Sequence, residues 1–392
     1  MFSRLTLERV PAAVLSFVLC MAWMPAVTRA QLNTFSSGST GADGAFAPTT
    51  SQTIQAPESG VFNFTTINIP SGVTITYTRN SKNSPVTILA TGDVTIVGSI
   101  SLAGAGGLSN GGGGRGGPGG FDGGTAGFGF DSFVGATGDG PGGGGGGSSI
   151  NGTSLSAGGG GGYASAGANG GAQTGAVAGA GGPRYGSSTM LPLIGGSGGG
   201  GGGALTGNHG GAGGGGGGAI LIASSTSISF TGAINCTGGA GVSAVVNGGG
   251  AAGGGGSGGA IRLIANTITG AGGTLNVGGG AAGGQLGALP AGGSGGPGFV
   301  RVEAFNFSSF TPSVPTNSVS FALPNPVTIP NAPTLQIATV AGIAAPGAPL
   351  GSLAGVPDIV LPSTTGNPVT VEVEAANIPL GTVVQVTLIP LI

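Results

Sequence analysis

The chain has 392 residues, of which 95 are glycine and 25 proline; 5% are charged and the formal net charge is −2. Glycine and proline at nearly a third of the residues, without a fixed period, argue against one ordinary packed globule. Nine basic residues in all, one of them a lysine, and a single histidine argue against nucleic-acid binding, which needs clustered Lys and Arg, and against acid–base catalysis built on histidine.

Arg4 and Arg9 precede an apolar stretch over 10–27, followed by Thr28, Arg29 and Ala30. A basic start, an apolar run broken by Pro11 and Pro25, and a small residue at its end read as a secretory signal, 1–30, cleaved after Ala30. An uncleaved anchor is the other reading of such a run. Removing 1–30 leaves 6 basic and 10 acidic residues, with no basic patch for nucleic acid or anionic lipid. No later run is apolar enough to span a bilayer, so the expected location is secreted or on the outer cell surface. Cys236 is then the one cysteine left, and no intramolecular disulfide can form.

Residues 31–60 form a polar lead-in, and 61–107 are rich in Val, Ile and Thr. Residues 108–216 are mostly Gly, Ala and Ser, and 217–304 mix apolar with glycine runs; 82 of the 95 glycines fall between 101 and 300. The segments beginning at Pro85, Ala219, Ala260 and Phe299 share a register. Val86, Ile220, Ile261 and Val300 occupy one position, and Ile88, Ile222, Leu263 and Val302 lie two residues on. Gly98, Gly232 and Gly273 share a later position, followed by Ile100, Ile234 and Leu275, then by Leu102, Cys236 and Val277.

A two-residue apolar spacing is that of a strand with one buried face. Thr87, Leu221, Arg262 and Arg301 occupy the intervening position, with Glu303 after them, so these strands are expected to be half-buried with the arginines in water. Each unit reads as three short strands separated by a turn and a glycine corner, and the third unit departs where Ile268 comes one residue early. Repeated about 40 residues apart, the units predict an all-β solenoid over 61–307, carrying a Gly-rich insertion at 108–216. All the glycine excursions leave after the third strand and should emerge along one edge. For the insertion two readings stand open: disorder, or glycine tracts paired as polyproline-II-like or flat strands.

The blocks GGGGGGAILIA, GGGGSGGAIRL and TGDVTI resemble those of secreted glycine-rich bacterial proteins, which look like right-handed parallel β-helices of the pectin-lyase-like kind. The resemblance covers about 61–304 and implies architecture, not activity. Polysaccharide-cleaving members of that fold use several acidic residues from adjacent coils. Here the strands carry only Asp93 and Glu303, so the resemblance carries over no catalytic set.

Few residues invite chemistry. His209, in GNHGG, reads as an exposed loop residue with no second histidine or thiol to share a metal. Cys236 reads as a core residue, because Leu102 and Val277 occupy its position in the other units. Asp122, Asp131 and Asp139 lie close enough in sequence to suggest calcium, but the repeated Gly-Asp spacing of calcium-binding β-rolls is absent, and solvated turns are the plainer reading. Phe121, Phe128, Phe130 and Phe133 are expected to anchor the insertion onto the solenoid. No catalytic, cofactor-binding or metal residue is nominated, and no cofactor is expected.

Residues 308–392 carry strand-like runs, SVSFAL, TLQIATVAGI and VTVEVEAANI among them. They predict a small Pro-rich β-sandwich-like domain, whose apolar last strand suggests truncation or pairing with another chain. The expected function is that of a non-enzymatic secreted or cell-surface structural or adhesive protein, contacting extracellular matrix, polysaccharide or like molecules. A carbohydrate-binding or carbohydrate-processing β-helix is the alternative, with Tyr77 and Tyr163 as outward aromatics for the sugar. An ice-binding face, prompted by TITYT, lacks recurrence in the later units.

Overall fold

The structure is a computed structural model that describes residues 4–5, 34–129, 133–150, 154–244, 249–307, 309–314, 318–327, 334–346 and 358–376. The described residues are all-β and contain no helix. The chain divides into two compact units, 32–327 and 1–31 with 328–392.

The larger unit is built on a 14-stranded, wholly parallel sheet that curls around an aliphatic interior. Its strands stack in three ladders. The first contains Val61–Phe64, Val86–Ala90, Ala219–Ser224, the opening of Ala260–Asn276, Phe299–Asn306 and Val319–Ala322. The second contains Ile67–Ile69, Val94–Ile96, Ser227–Phe230 and the middle of Ala260–Asn276. The third contains Gln52–Gln55, Thr74–Thr78, Ser99–Ser101, Ala233–Asn235, the end of Ala260–Asn276 and Phe310–Ser313. Each repeat visits the ladders in that order before returning to the first.

The register is the one the spacing predicts. Ile220 lies opposite Val86 on one side and Ile261 on the other, and Val300 continues the column beyond Ile261. Ile88, Ile222, Leu263 and Val302 form a second column two residues along the same strands, and all of these side chains are buried in one cluster. At roughly 1.5–3 kcal/mol per buried aliphatic side chain, this interior is the main favourable term for the sheet. A single repeat could not enclose it, and stacking does.

The irregular third repeat resolves locally. Ile268 pairs in register with Ile228, one residue ahead of the sequence count, and the count is restored before Leu275 pairs with Ile234. Gly270 and Gly272 absorb the difference with φ of +125° and +77°, a region that side chains other than glycine rarely adopt.

Three expectations are corrected. Arg262 is not in water: it is 1% exposed, and Leu221 and Glu303 on the same outward face are also buried. Lead-in residues and the 185–194 segment reach this face. Phe35 and Asn266 exchange hydrogen bonds between the Phe35 backbone and the Asn266 amide, Ser37 Oγ donates to the Ala90 carbonyl, and Arg301 Nη1 donates to the Ser188 carbonyl. The lead-in itself is not merely a polar approach, since Gln52–Gln55 adds a strand to the third ladder. Val319–Ala322, from the run SVSFAL, pairs parallel with Val300–Glu303 and so extends the curled sheet rather than the C-terminal one.

In the smaller unit the described strands form a four-stranded antiparallel sheet, ordered Arg4–Leu5, Val371–Ala376, Thr334–Val340, Ile343–Ala344. The last two are joined by a two-residue turn at Ala341 and Gly342, both with positive φ, as a tight hairpin requires. Among the described residues no helix is long and apolar enough to cross a membrane.

Candidate functional site

Chain leaves the third ladder at Leu102, Cys236 and Val277 and re-enters the first at Ala219, Ala260 and Phe299. The glycine runs between these points, with the whole described part of 108–216, form one bundle of extended tracts. They are ordered by backbone hydrogen bonds, so the disordered reading of the insertion does not hold for its described residues.

The geometry is legible in the tract 196–204. Gly198, Gly201 and Ala204 donate their N–H groups to Asp139, Ala136 and Phe133. Gly199 and Gly202 donate to Gly214 and Gly211, and Gly200 and Gly203 to Gly159 and Ser156. Carbonyls of the same tract accept from three other directions: Gly124 and Gly127, Gly254 and Ala251, Gly144 and Gly147. A flat strand would alternate between two sides. The period here is three, the repeat of a polyproline-II-type helix, which makes no internal hydrogen bonds and so directs every N–H and C=O at neighbours. The tract thus has six neighbours. Tract 251–259 repeats the pattern, donating to Gly203, Gly200 and Ser197, to Pro290, Gly293 and Gly296, and to Val242, Gly239 and Cys236.

Such packing leaves no room for side chains. A Cβ on Gly200 would run into the Gly145 carbonyl, one on Gly214 into that of Gly239, and one on Gly254 into that of Gly159. Where a serine is admitted its hydroxyl joins the network: Ser257 Oγ accepts the Ser197 N–H at 2.8 Å, and Ser197 Oγ accepts that of Gly142 at 3.0 Å.

The bundle is tied to the sheet at its near end. Arg79, in the turn after Thr74–Thr78, grips Asp122 through two parallel bonds of 2.6 and 2.7 Å, and Gly116 donates its N–H to the same carboxylate. Burial raises the Asp122 pKa, but these donors outweigh it and leave the carboxyl below its usual range. The side-chain amide of Asn83 bonds both Gly119 and Gly120. Tyr163 packs edge-on against Tyr185 and Phe299, with its hydroxyl donating to the Ile194 carbonyl.

Several sequence candidates are thereby reassigned. Asp122 is committed to Arg79, and Asp139 is exposed and meets Asp122 only along the backbone, so these two carboxylates do not converge; Asp131 lies outside the described residues. Among the described residues no group of three or more acidic, His or Cys side chains could hold a metal. His209 is half-buried in a turn rather than exposed, its backbone bridged to Phe128 and its Nδ1 3.1 Å from the Gly210 carbonyl. Cys236 is buried beside Leu102 and Val277, and burial pushes its thiol far up. Tyr77 and Tyr163 are 3% and 1% exposed and offer no face to a sugar. Phe128 and Phe133 are 48% and 39% exposed at the end of the bundle farthest from the sheet and do not anchor it there, while Phe130 is outside the described residues.

Asp93 and Glu303 are not brought together. Asp93 sits exposed in a turn, accepting from Thr226 and Ser227, whose hydroxyls lower its pKa. Glu303 is fully buried between two stacked arginines. It takes 2.8 and 3.2 Å bonds from Arg262, a further one from Arg301, and the backbone N–H of Asn325 at 2.8 Å. Burial pushes its carboxyl up, and these donors together more than reverse the effect. Sequence reading missed this cluster. The signal was there: two arginines at the same position of successive repeats stack as like charges unless an anion lies between them.

The far end of the bundle consists of turns. Gly129 donates to the Asn208 carbonyl, Leu205 to that of Gly249, and Gln173 Nε2 to that of Ala288. Beneath them Leu155, Ala157 and Ala251 form a small buried cluster with Leu205 and Leu289 packed against it. Comparison with protein families, with curated proteins and with solved structures finds no match to this chain.

Proposed function

We propose that the chain is a non-enzymatic structural or adhesive protein, secreted or held at the outer cell surface after loss of residues 1–30. Its curled sheet is, in this reading, a right-handed parallel β-helix of the pectin-lyase-like kind, and the C-terminal sheet is one layer of a small sandwich.

The observation that carries the reading is the bundle. A stretch of more than 100 residues is spent largely on glycine-rich tracts whose backbone groups bond one another. Among its described residues no group of acidic, His or Cys side chains converges, and it is rigid, because each tract is braced from several sides. Rigid scaffolds that hold out loops are suited to contact. The proposed partners are extracellular matrix, polysaccharide or like molecules.

The test is retention. Beads carrying the purified full chain are flowed over surfaces coated with matrix protein, neutral polysaccharide or the same chain. Retention above that of bare beads on at least one coating is expected; equal retention on all three would overturn the reading.

A further inference from the structure

The outward face of the third ladder differs chemically from those of the other two. Its strands, Gln52–Gln55, Thr74–Thr78, Ser99–Ser101, Ala233–Asn235, the end of Ala260–Asn276 and Phe310–Ser313, contain no charged residue. Arg262, Arg301 and Glu303 belong to the first ladder, and Asp93 stands beside the second and takes the Thr226 and Ser227 hydroxyls. Arg79, next after Thr78, is held by Asp122.

Ile75, Ile100, Ile234 and Leu275 are buried in the core, so the residues on either side of each point out. The Thr-x-Thr spacing of Thr74–Thr78 does not recur in sequence, but its outward positions recur in space. Thr74, Ser99, Ala233 and Thr274 pair in one row, and Thr53, Thr76, Ser101, Asn235 and Asn276 in the next, with no register shift. Neighbours in a row lie about 4.8 Å apart and the rows about 6.6 Å apart, the spacings of a parallel sheet.

These groups are left to solvent. Among the described residues no hydrogen bond reaches the hydroxyls of Thr53, Thr74, Thr76, Ser99, Ser101 or Thr274, whereas over the first ladder Ser37 Oγ donates to the Ala90 carbonyl and Ser224 Oγ to that of Gly92. The two amides are fixed alike: Asn235 Oδ1 accepts the Thr237 N–H at 3.2 Å and Asn276 Oδ1 that of Gly278 at 3.1 Å, which keeps both NH2 groups as donors.

This chemistry selects the ligand. A face without charge has no grip on an ionic polymer or headgroup. Tyr77 and Phe310, the aromatics of these strands, are 3% and 6% exposed and turned inward, so no ring is offered for a sugar to stack on, and the Trp, Tyr and Arg that anchor protein partners are missing. What remains is a two-dimensional array of donors and acceptors on short or β-branched, stiff side chains. Water bound at such an array is already spaced and ordered, so little further immobilisation accompanies its joining a crystal of water. Ice is an uncharged lattice of the same donors and acceptors, with surface oxygens in rows of closely similar spacing.

We infer that the outward face of the third ladder binds ice, through water ordered on the row of Thr76, Ser101, Asn235 and Asn276 and on the row beside it. The inference goes beyond the adhesive reading and does not depend on it.

Thermal hysteresis and inhibition of ice recrystallisation by the full chain, over a concentration series, test it. The unmodified chain should hold the freezing point below the melting point by a gap that grows with concentration. Ser101→Tyr/Asn235→Tyr, which sets two rings in the middle of one row, should reduce the gap to that of buffer with an unchanged far-ultraviolet circular dichroism spectrum. Val177→Tyr, at a position 74% exposed in the glycine insertion, should keep the full gap. If the double variant loses its spectrum, Thr274→Lys, at an exposed position of the neighbouring row, takes its place with the same expectation. An unmodified chain with neither gap nor inhibition overturns the inference, as does a gap that survives in the folded variant or is lost in Val177→Tyr. Binding to insoluble neutral polysaccharide that the double variant loses, without activity on ice, gives the face to a sugar lattice and overturns it too. Bead retention tests the adhesive reading alone, so the two readings can fail separately.

Discussion

In the curled sheet, Ile220, Ile222, Ile261 and Leu263 are buried by side-chain packing, and the backbone ladders follow from it. In the glycine bundle the order is reversed: Gly200, Gly214 and Gly254 are buried with nothing to pack, and contact between backbones is the core. Ordering a residue costs about 1–2 kcal/mol, and a net hydrogen bond returns about 0.5–1.5 kcal/mol. A lone glycine tract therefore has little to hold it. Tracts braced from six sides satisfy every N–H and C=O while bringing many backbone atoms into van der Waals contact. The sheet should thus respond to loss of apolar volume or gain of charge, and the bundle to gain of any volume at all.

The largest effect should come from placing a charge in the sheet's interior. Leu263→Asp should abolish soluble folded protein, read as loss of the far-ultraviolet signal and of soluble yield. A folded Leu263→Asp would remove the aliphatic column as the basis of the sheet. Next is Glu303→Ala, which leaves Arg262 buried without its anion and should cost about 3–5 kcal/mol in denaturant unfolding.

The same cluster gives a pH dependence. The Glu303 pKa is depressed in the folded chain, so its stabilising contribution is complete above the ordinary value of 4.5 and is lost as the pH falls through the lower folded value. Acid midpoints should show that loss for the unmodified chain and a shallower one for Glu303→Gln. Equal slopes would mean that another carboxylate governs acid stability.

For the bundle, Gly214→Ala should cost about 1–3 kcal/mol, because the added methyl meets backbone that cannot yield. Gly106→Ala is the control: its Cβ would lie 3.4 Å from the Ala240 carbonyl, at an exposed position, and its effect should stay within about 1 kcal/mol. Comparable effects at both sites would show that close approach is not what selects glycine. The smallest effect belongs to His209→Ala, a half-buried turn residue, which should change stability by less than about 0.5 kcal/mol.

The surface residues of the bundle were less legible than the fold. Phe128 and Phe133 stood out in the sequence as apolar residues within a glycine tract, but whether such residues point at a core or at solvent depends on where the tract turns. Tyr163 shows the converse, a tract aromatic that lies at the near end of the bundle and is buried there.

The parallel ladders, their register and the core role of Cys236 were settled by the sequence, because a two-residue apolar period recurring every 40 residues or so permits one way of enclosing its aliphatic face. Burial of Arg262 between repeats, the threefold packing of the glycine tracts and the exposure of their turns were decided only by tertiary structure. Glycine has no side chain to record its neighbours, so the partners of a glycine run are set by which other runs come to lie beside it.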